Sequence, residues 1–183
     1  LRPDLVVLYA TQDDVRSQMT RAGIPFYVYR HGGLTQVTAT IRELGTRTGL
    51  TREAEGVASR IEGQLAEIRA RVAGRRRPRT LLVFGREPLA LRNVFASGGV
   101  GFLHDMLEVA GGTNVFADVP RESVQASTEI ILARAPEAIL ELRSQALVRD
   151  GDLARERATW DRLSSVPAVR EGRVALLKGD EFV

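Results

Sequence analysis

Only two side chains in this 183-residue sequence carry an imidazole, His31 and His104, and none carries a thiol. A protein metal site needs three or four convergent ligands, and neither histidine has such a set near it in sequence. The lack of cysteine excludes disulfides, thiolate metal sites and a cysteine nucleophile. No Ser-His-Asp set and no paired carboxylates can be argued, because the acids are scattered over helix faces. Ser97-Gly98-Gly99-Val100-Gly101 leads into a helix N-terminus, as a phosphate cradle does. It lacks the Lys-Ser/Thr of a P-loop and the spacing of a dinucleotide fingerprint, so it reads as a tight turn that lets backbone approach a ligand or the sheet. The chemistry that remains lies just past strand ends: Tyr9, then Arg86 with Glu87, then Asp180. An aromatic body with a few polar groups suits a large planar ligand. The competing readings are a core position for Tyr9 and a surface ion pair for Arg86 with Glu87.

The elements that would position these residues follow from periodicity. Apolar residues at Ala54, Val57, Ala58, Ile61, Leu65, Ile68 and Val72 keep a three-and-four spacing, which predicts one amphipathic helix over residues 51–74. Thr51 is its expected N-cap and Gly74 its expected terminator. At 1.5 Å per residue it is roughly 33 Å long, about the diameter of a small domain. Before it, LVVLY (5–9) and FYVY (26–29) read as strands. A helix over Val15, Met19 and Ala22, boxed by Thr11 and Asp14 and ended by Gly23, lies between them. A second helix follows through Leu34, Val37, Ile41 and Leu44 and ends near Gly49. After it, TLLVFG (80–85), AILEL (138–142) and RVALL (173–177) read as strands, separated by helical segments around Met106 and after Ser127. Residues 86–97 and 113–126 read as irregular, and residues 151–159 as polar and undefined. Strands alternating with helices predict an α/β protein of mostly parallel sheets, in which ligands sit beyond the carboxyl ends of strands. The division expected is a partial α/β lobe over residues 1–50, a bridging helix over 51–74 and a second α/β lobe over 75–183.

Composition narrows the class. An apolar fraction of 44% supports an ordinary core. No apolar run is long enough to span a membrane. The net charge is only +3, and 25 of the 26 cations are arginine, Lys178 being the exception. The densest basic run, Arg75, Arg76, Arg77 and Arg79, has no interleaved aromatic residues of the kind a nucleic-acid stacking platform needs. It reads as a solvated linker, and no nucleic-acid partner is expected. An internal echo joins Pro3-Asp4 and Pro136-Glu137, each followed by a strand. The second copy is preceded by a helix and the first is not, so the front of the first half is expected to be missing.

The ordered set LRPDLVV, AGIPFYV, LGTRTGL, LLVFG, FLHDMLEVAGGTNVFAD, STEIILARAPEAIL and WDRLSSVPAVREGRV resembles the class III substrate-binding proteins of bacterial ABC importers, most of all the cobalamin-binding branch. The resemblance implies two Rossmann-like lobes bridged by one long helix, with the first lobe incomplete and the chain trimmed at both ends. It implies a non-enzymatic, extracytoplasmic, monomeric receptor. Its ligand would be cobalamin or a related corrinoid, a ferric siderophore or haem, captured between lobes and delivered to a membrane permease. By the same resemblance Tyr9, Phe95 and Asp180 become ligand contacts beside Arg86 and Glu87, and Glu129 of Ser127-Thr128-Glu129 becomes the carboxylate that docks on the permease. Phe95 also fits a core, and Glu129 also fits the anion that a helix N-terminus favours. The rival functions are a chelatase-like or nitrogenase-like enzyme lobe and a sensor module built on the same fold.

Overall fold

The structure is a computed structural model that describes residues 3–144 and 152–179. The chain divides into two compact units, Leu1–Gln64 and Leu65–Val183.

In the first unit, β1 (Val6–Tyr9) and β2 (Phe26–Tyr29) form a parallel pair joined by α1 (Asp13–Ala22). The expected capping box is not made. Gln12 precedes α1 without capping it, and its side-chain oxygen accepts from the N–H of Tyr9 at 2.8 Å. Gly23 and Gly49 close α1 and α2 (Leu34–Thr48) in the left-handed conformation that favours glycine. The chain then enters α3 (Thr51–Val72), the 22-residue helix that the periodicity predicts. Thr51 is its first residue, one position inside the expected cap. Ala54, Ala58 and Leu65 on its apolar stripe are buried, whereas Val57 and Ile68 stay partly exposed. α3 runs from the first unit into the second.

The α2–α3 contact has no room to spare. A Cβ at Gly45 would stand 2.1 Å from the Ala54 Cβ. Beside it, the Arg42 guanidinium donates to two carboxylates of the next helix: Nε to Glu55 Oε2 at 2.8 Å, and Nη1 to Glu62 Oε1 at 2.6 Å. Arg42 is the main cause that holds Glu55 down to about 2 and Glu62 below its ordinary value of 4.5. A carboxylate depressed in the folded state stabilises fully above its unfolded pKa and loses that contribution as pH falls through the folded value. We therefore expect stability to decline as pH falls from 4.5 towards about 2. The Arg42→Met variant should lose less over that window in acid-titrated thermal melts. An unchanged acid slope in the variant would remove Arg42 as the cause.

The second unit is a six-stranded sheet. β3 (Arg79–Gly85) is flanked by β4 (Val94–Ser97) and β7 (Ala138–Arg143); β6 (Ser123–Ala126) adds beyond β4, β8 (Val174–Lys178) adds beyond β7, and the short β5 (Thr113–Asn114) pairs with the start of β3. β3, β5, β7 and β8 run parallel, while β3–β4 and β4–β6 are antiparallel. Two stretches that read from sequence as irregular, 86–97 and 113–126, thus contain strands β4, β5 and β6. One face packs the main core of Leu81, Val83, Phe116, Ile131, Ile139 and a fully buried Trp160. The other face packs Leu82 and Leu142 against Leu107 of α4 (Phe102–Val109).

The Ser97–Gly101 turn packs closely against backbone. A Cβ at Gly98 would stand 2.0 Å from the Arg121 carbonyl oxygen. The N–H of Gly98 donates to Glu122 O at 3.0 Å, and that of Gly99 to Val119 O at 2.8 Å. The turn locks two chain segments together, and these two donors are already used.

Candidate functional site

Two sets of strand ends carry the candidate residues, one in each unit. In the first unit, Tyr9 and Tyr29 are register partners at the carboxyl ends of β1 and β2. Their rings meet edge to face at 5.6 Å. The His31 ring stacks on Tyr9, with centroids 5.4 Å apart and planes 20° apart, and meets the Tyr29 edge at 5.2 Å. Tyr9 is 52% exposed and is not a core residue. The result is an aromatic surface of three rings where a parallel sheet presents its ligand-facing end. The sequence points to Tyr9 alone in this role. Tyr29 escapes that reading, although two parallel strands of equal length ending in tyrosine are a sufficient signal. The sequence raises His31 only as a metal ligand, whereas its neighbours in the fold are tyrosines.

In the second unit, β3, β6 and β7 all end on one rim. That rim gathers the loop 86–93, Ser127 just after β6, and Arg143. The sequence places Arg86 against a ligand, and the structure corrects this. The Arg86 side chain is fully buried, with Nε 2.9 Å from Glu141 Oε1 and Nη2 2.9 Å from Glu156 Oε2. Its guanidinium also lies over the Trp160 ring at 5.8 Å. An apolar environment gives an arginine every reason to stay with its carboxylates, so Arg86 faces the protein interior.

Glu87, the next residue, turns outward and is half-buried. Its two oxygens accept from Arg92 Nε at 2.9 Å and Asn93 Nδ2 at 2.8 Å, and Gln125 Nε2 donates to Asn93 Oδ1 at 3.0 Å. These groups line a polar depression of about 470 Å³ with Ser127 and Thr128. Phe95 lies on β4 and not in an irregular loop, opposite Gly85. The residue is 39% exposed, and its ring centroid lies 6.5 Å from that of Phe84. Phe84, Phe102, Leu103, Met106 and Leu177 line an apolar groove of about 710 Å³ along α4. Asp180 lies outside the described residues.

Glu129 sits in the first turn of α5 (Thr128–Arg134) and is exposed. Ser127 caps this helix, its Oγ accepting from the Ile130 N–H at 3.3 Å. The Ser127 hydroxyl above all, then the Glu129 N–H and the Thr128 hydroxyl, hold the Glu129 carboxyl below its usual range. Among the described residues no group of three or more His, Asp or Glu converges as a metal site would require.

The sequence profile of the periplasmic binding protein family matches residues 1–181. The chain belongs to that family. The likeness to class III substrate-binding proteins thus holds for this periplasmic binding protein, and so does the two-unit α/β fold with its long helix. Among its relatives is the vitamin B12-binding protein of Salmonella typhimurium, 30% identical over 171 residues, a match covering 92% of this chain and 60% of the relative. Solved structures of the same fold include the periplasmic vitamin B12 binding protein BtuF of Vibrio cholerae, with a TM-score of 0.73, 19% identity and coverage of 97% of this chain and 66% of that one. They also include the periplasmic heme binding protein HutB of the same organism, with a TM-score of 0.76, 15% identity and coverage of 96% and 68%. The chain spans about 60% of the length of these vitamin B12-binding relatives from Salmonella.

Proposed function

We propose that this protein is the capture component of an ABC importer, working outside the cytoplasm as a monomer. It takes up a whole metal complex, a corrinoid first and a haem or ferric siderophore as alternatives, and presents it to the importer's membrane permease. The observation that carries this reading is the Tyr9–Tyr29–His31 surface. Three rings with an exposed face offer stacking area to a macrocycle. A tyrosine or histidine can also occupy an axial position on a bound iron, which asks for one donor where a bare ion asks for a cluster. Glu87 and Phe95 are the candidate contacts within the second unit taken by itself, and the vitamin B12-binding relatives make the corrinoid the leading candidate. Arg86 enters this reading as support for its neighbours and not as a contact.

Glu129 is the docking residue in this reading. An exposed carboxylate gives a steering contact that weakens with salt, as a transient partner requires. Replacing Glu129 with alanine should weaken binding to permease-containing nanodiscs while leaving ligand affinity unchanged. Equal nanodisc binding by the variant and the parent at low salt would remove the assignment.

A further inference from the structure

The loop 86–93 holds two non-glycine residues in the left-handed region, Leu89 at φ 53° and Asn93 at φ 49°. Asparagine visits this region readily. A leucine does so at a cost and persists only where its surroundings impose it. What imposes it is internal. The Leu89 N–H donates to both oxygens of Glu156, at 3.2 and 3.1 Å. Glu156 is 3% exposed although it sits on the short helix α6 (Leu153–Ala158).

Glu156 is one corner of a buried quartet of two arginines and two glutamates. Arg86 pairs with Glu141 and Glu156. Arg143 pairs with Glu141 at 2.5 Å and with Glu156 at 3.2 Å. Glu141 Oε1 is approached by both Nε atoms as ion pairs without a hydrogen bond from either; Oε2 accepts from Trp160 Nε1 at 2.7 Å. Arg86 Nη2 also donates to the Glu156 carbonyl oxygen at 3.0 Å, and three further donor contacts go to the loop itself. Arg86 Nη1 donates to Glu87 O at 3.1 Å and to Ala90 O at 3.2 Å, and Arg143 Nη1 donates to Arg86 O at 3.0 Å. A charge-neutral cluster of this kind adds little stability over apolar packing. Several of its directional bonds fall instead on the backbone of one surface loop.

We infer that Glu156 and Arg143 are positioning residues that hold the strained loop 86–93 in a preformed shape and so aim Glu87 and Asn93 on the rim. The role of that loop in ligand contact rests on the function proposed above; the positioning itself does not. Preorganisation lowers the ordering cost that binding would otherwise incur.

The test is amide exchange by NMR on the intact protein, alongside titration with dicyanocobinamide and with haem. In the Glu156→Gln variant, which leaves two buried arginines with one carboxylate, the Leu89 and Ala90 amides should exchange at least about tenfold faster over and above the acceleration they share with Val83 and Ile139 at the centre of the sheet. Dicyanocobinamide or haem affinity should fall by about the same factor, a tenfold change being about 1.4 kcal/mol. Glu156→Asp keeps the charge balance, and therefore the fold, but draws the acceptor back from Leu89. It should give the same local exchange with a smaller loss of affinity. A uniform acceleration of all amides, or a Leu89 amide unprotected in the parent protein, overturns the inference. If the parent binds neither probe while the local exchange behaves as described, the proposed function fails and the positioning role stands.

Discussion

Replacing Glu141 with alanine lowers the unfolding free energy by about 3–5 kcal/mol, measured by denaturant titration. The loss does not come from a missing favourable pair. Glu141 is fully buried, and its removal leaves Arg86 and Arg143, whose side chains are 0% and 2% exposed, to share the single carboxylate of Glu156. It also leaves Trp160 Nε1 without its acceptor. The same reasoning predicts that replacing all four quartet residues together with apolar side chains of similar volume costs less than Glu141→Ala alone. A single-variant loss of under about 1 kcal/mol would mean that water enters the cluster and that the quartet is not dry.

The second large effect is at Trp160. It is the one tryptophan in the chain, and it is fully buried in the main core of the second unit. Trp160→Ala should cost about 3–5 kcal/mol through lost transfer free energy and the cavity left behind. Trp160→Phe keeps most of the apolar volume but removes the N–H that Glu141 accepts, and should cost about 1–3 kcal/mol. Circular dichroism is the readout, since both variants lose the fluorophore. If the two variants are equally destabilised, the loss lies in the hydrogen bond to Glu141 and the packing adds little beyond it, against the expected order.

How much of the fold and site is legible in the sequence depends on the range of the signal. The long helix α3 is, because a stripe at three-and-four spacing is a local pattern. So are the left-handed terminators Gly23 and Gly49 and the strands built from continuous apolar runs. β4 and β6 are not, since each has only four residues and their antiparallel pairing is fixed by register and not by local pattern. Arg86 is misplaced for a related reason. An arginine after a strand is ordinarily solvated, and its partners Glu141 and Glu156 lie far along the chain. One clue is visible: Glu141 and Arg143 alternate inside a strand otherwise made of Ala, Ile and Leu, and charges in such a strand have to find each other. Tyr9 stands out through its place after a strand, but its aromatic neighbours become apparent only once β1 and β2 are in register.

The central claim is that the protein binds an intact metal complex and not a bare ion. Calorimetric titration of the intact protein with dicyanocobinamide, haem, aqueous cobalt(II) and ferric citrate tests it most directly. We expect dicyanocobinamide or haem to bind with a dissociation constant of about 1 μM or tighter. Tyr9→Ala should weaken that binding by about threefold to tenfold, the range that loss of a stacked ring supplies. Binding of the simple cobalt or iron salts alone, or no heat from either macrocycle, would contradict the account.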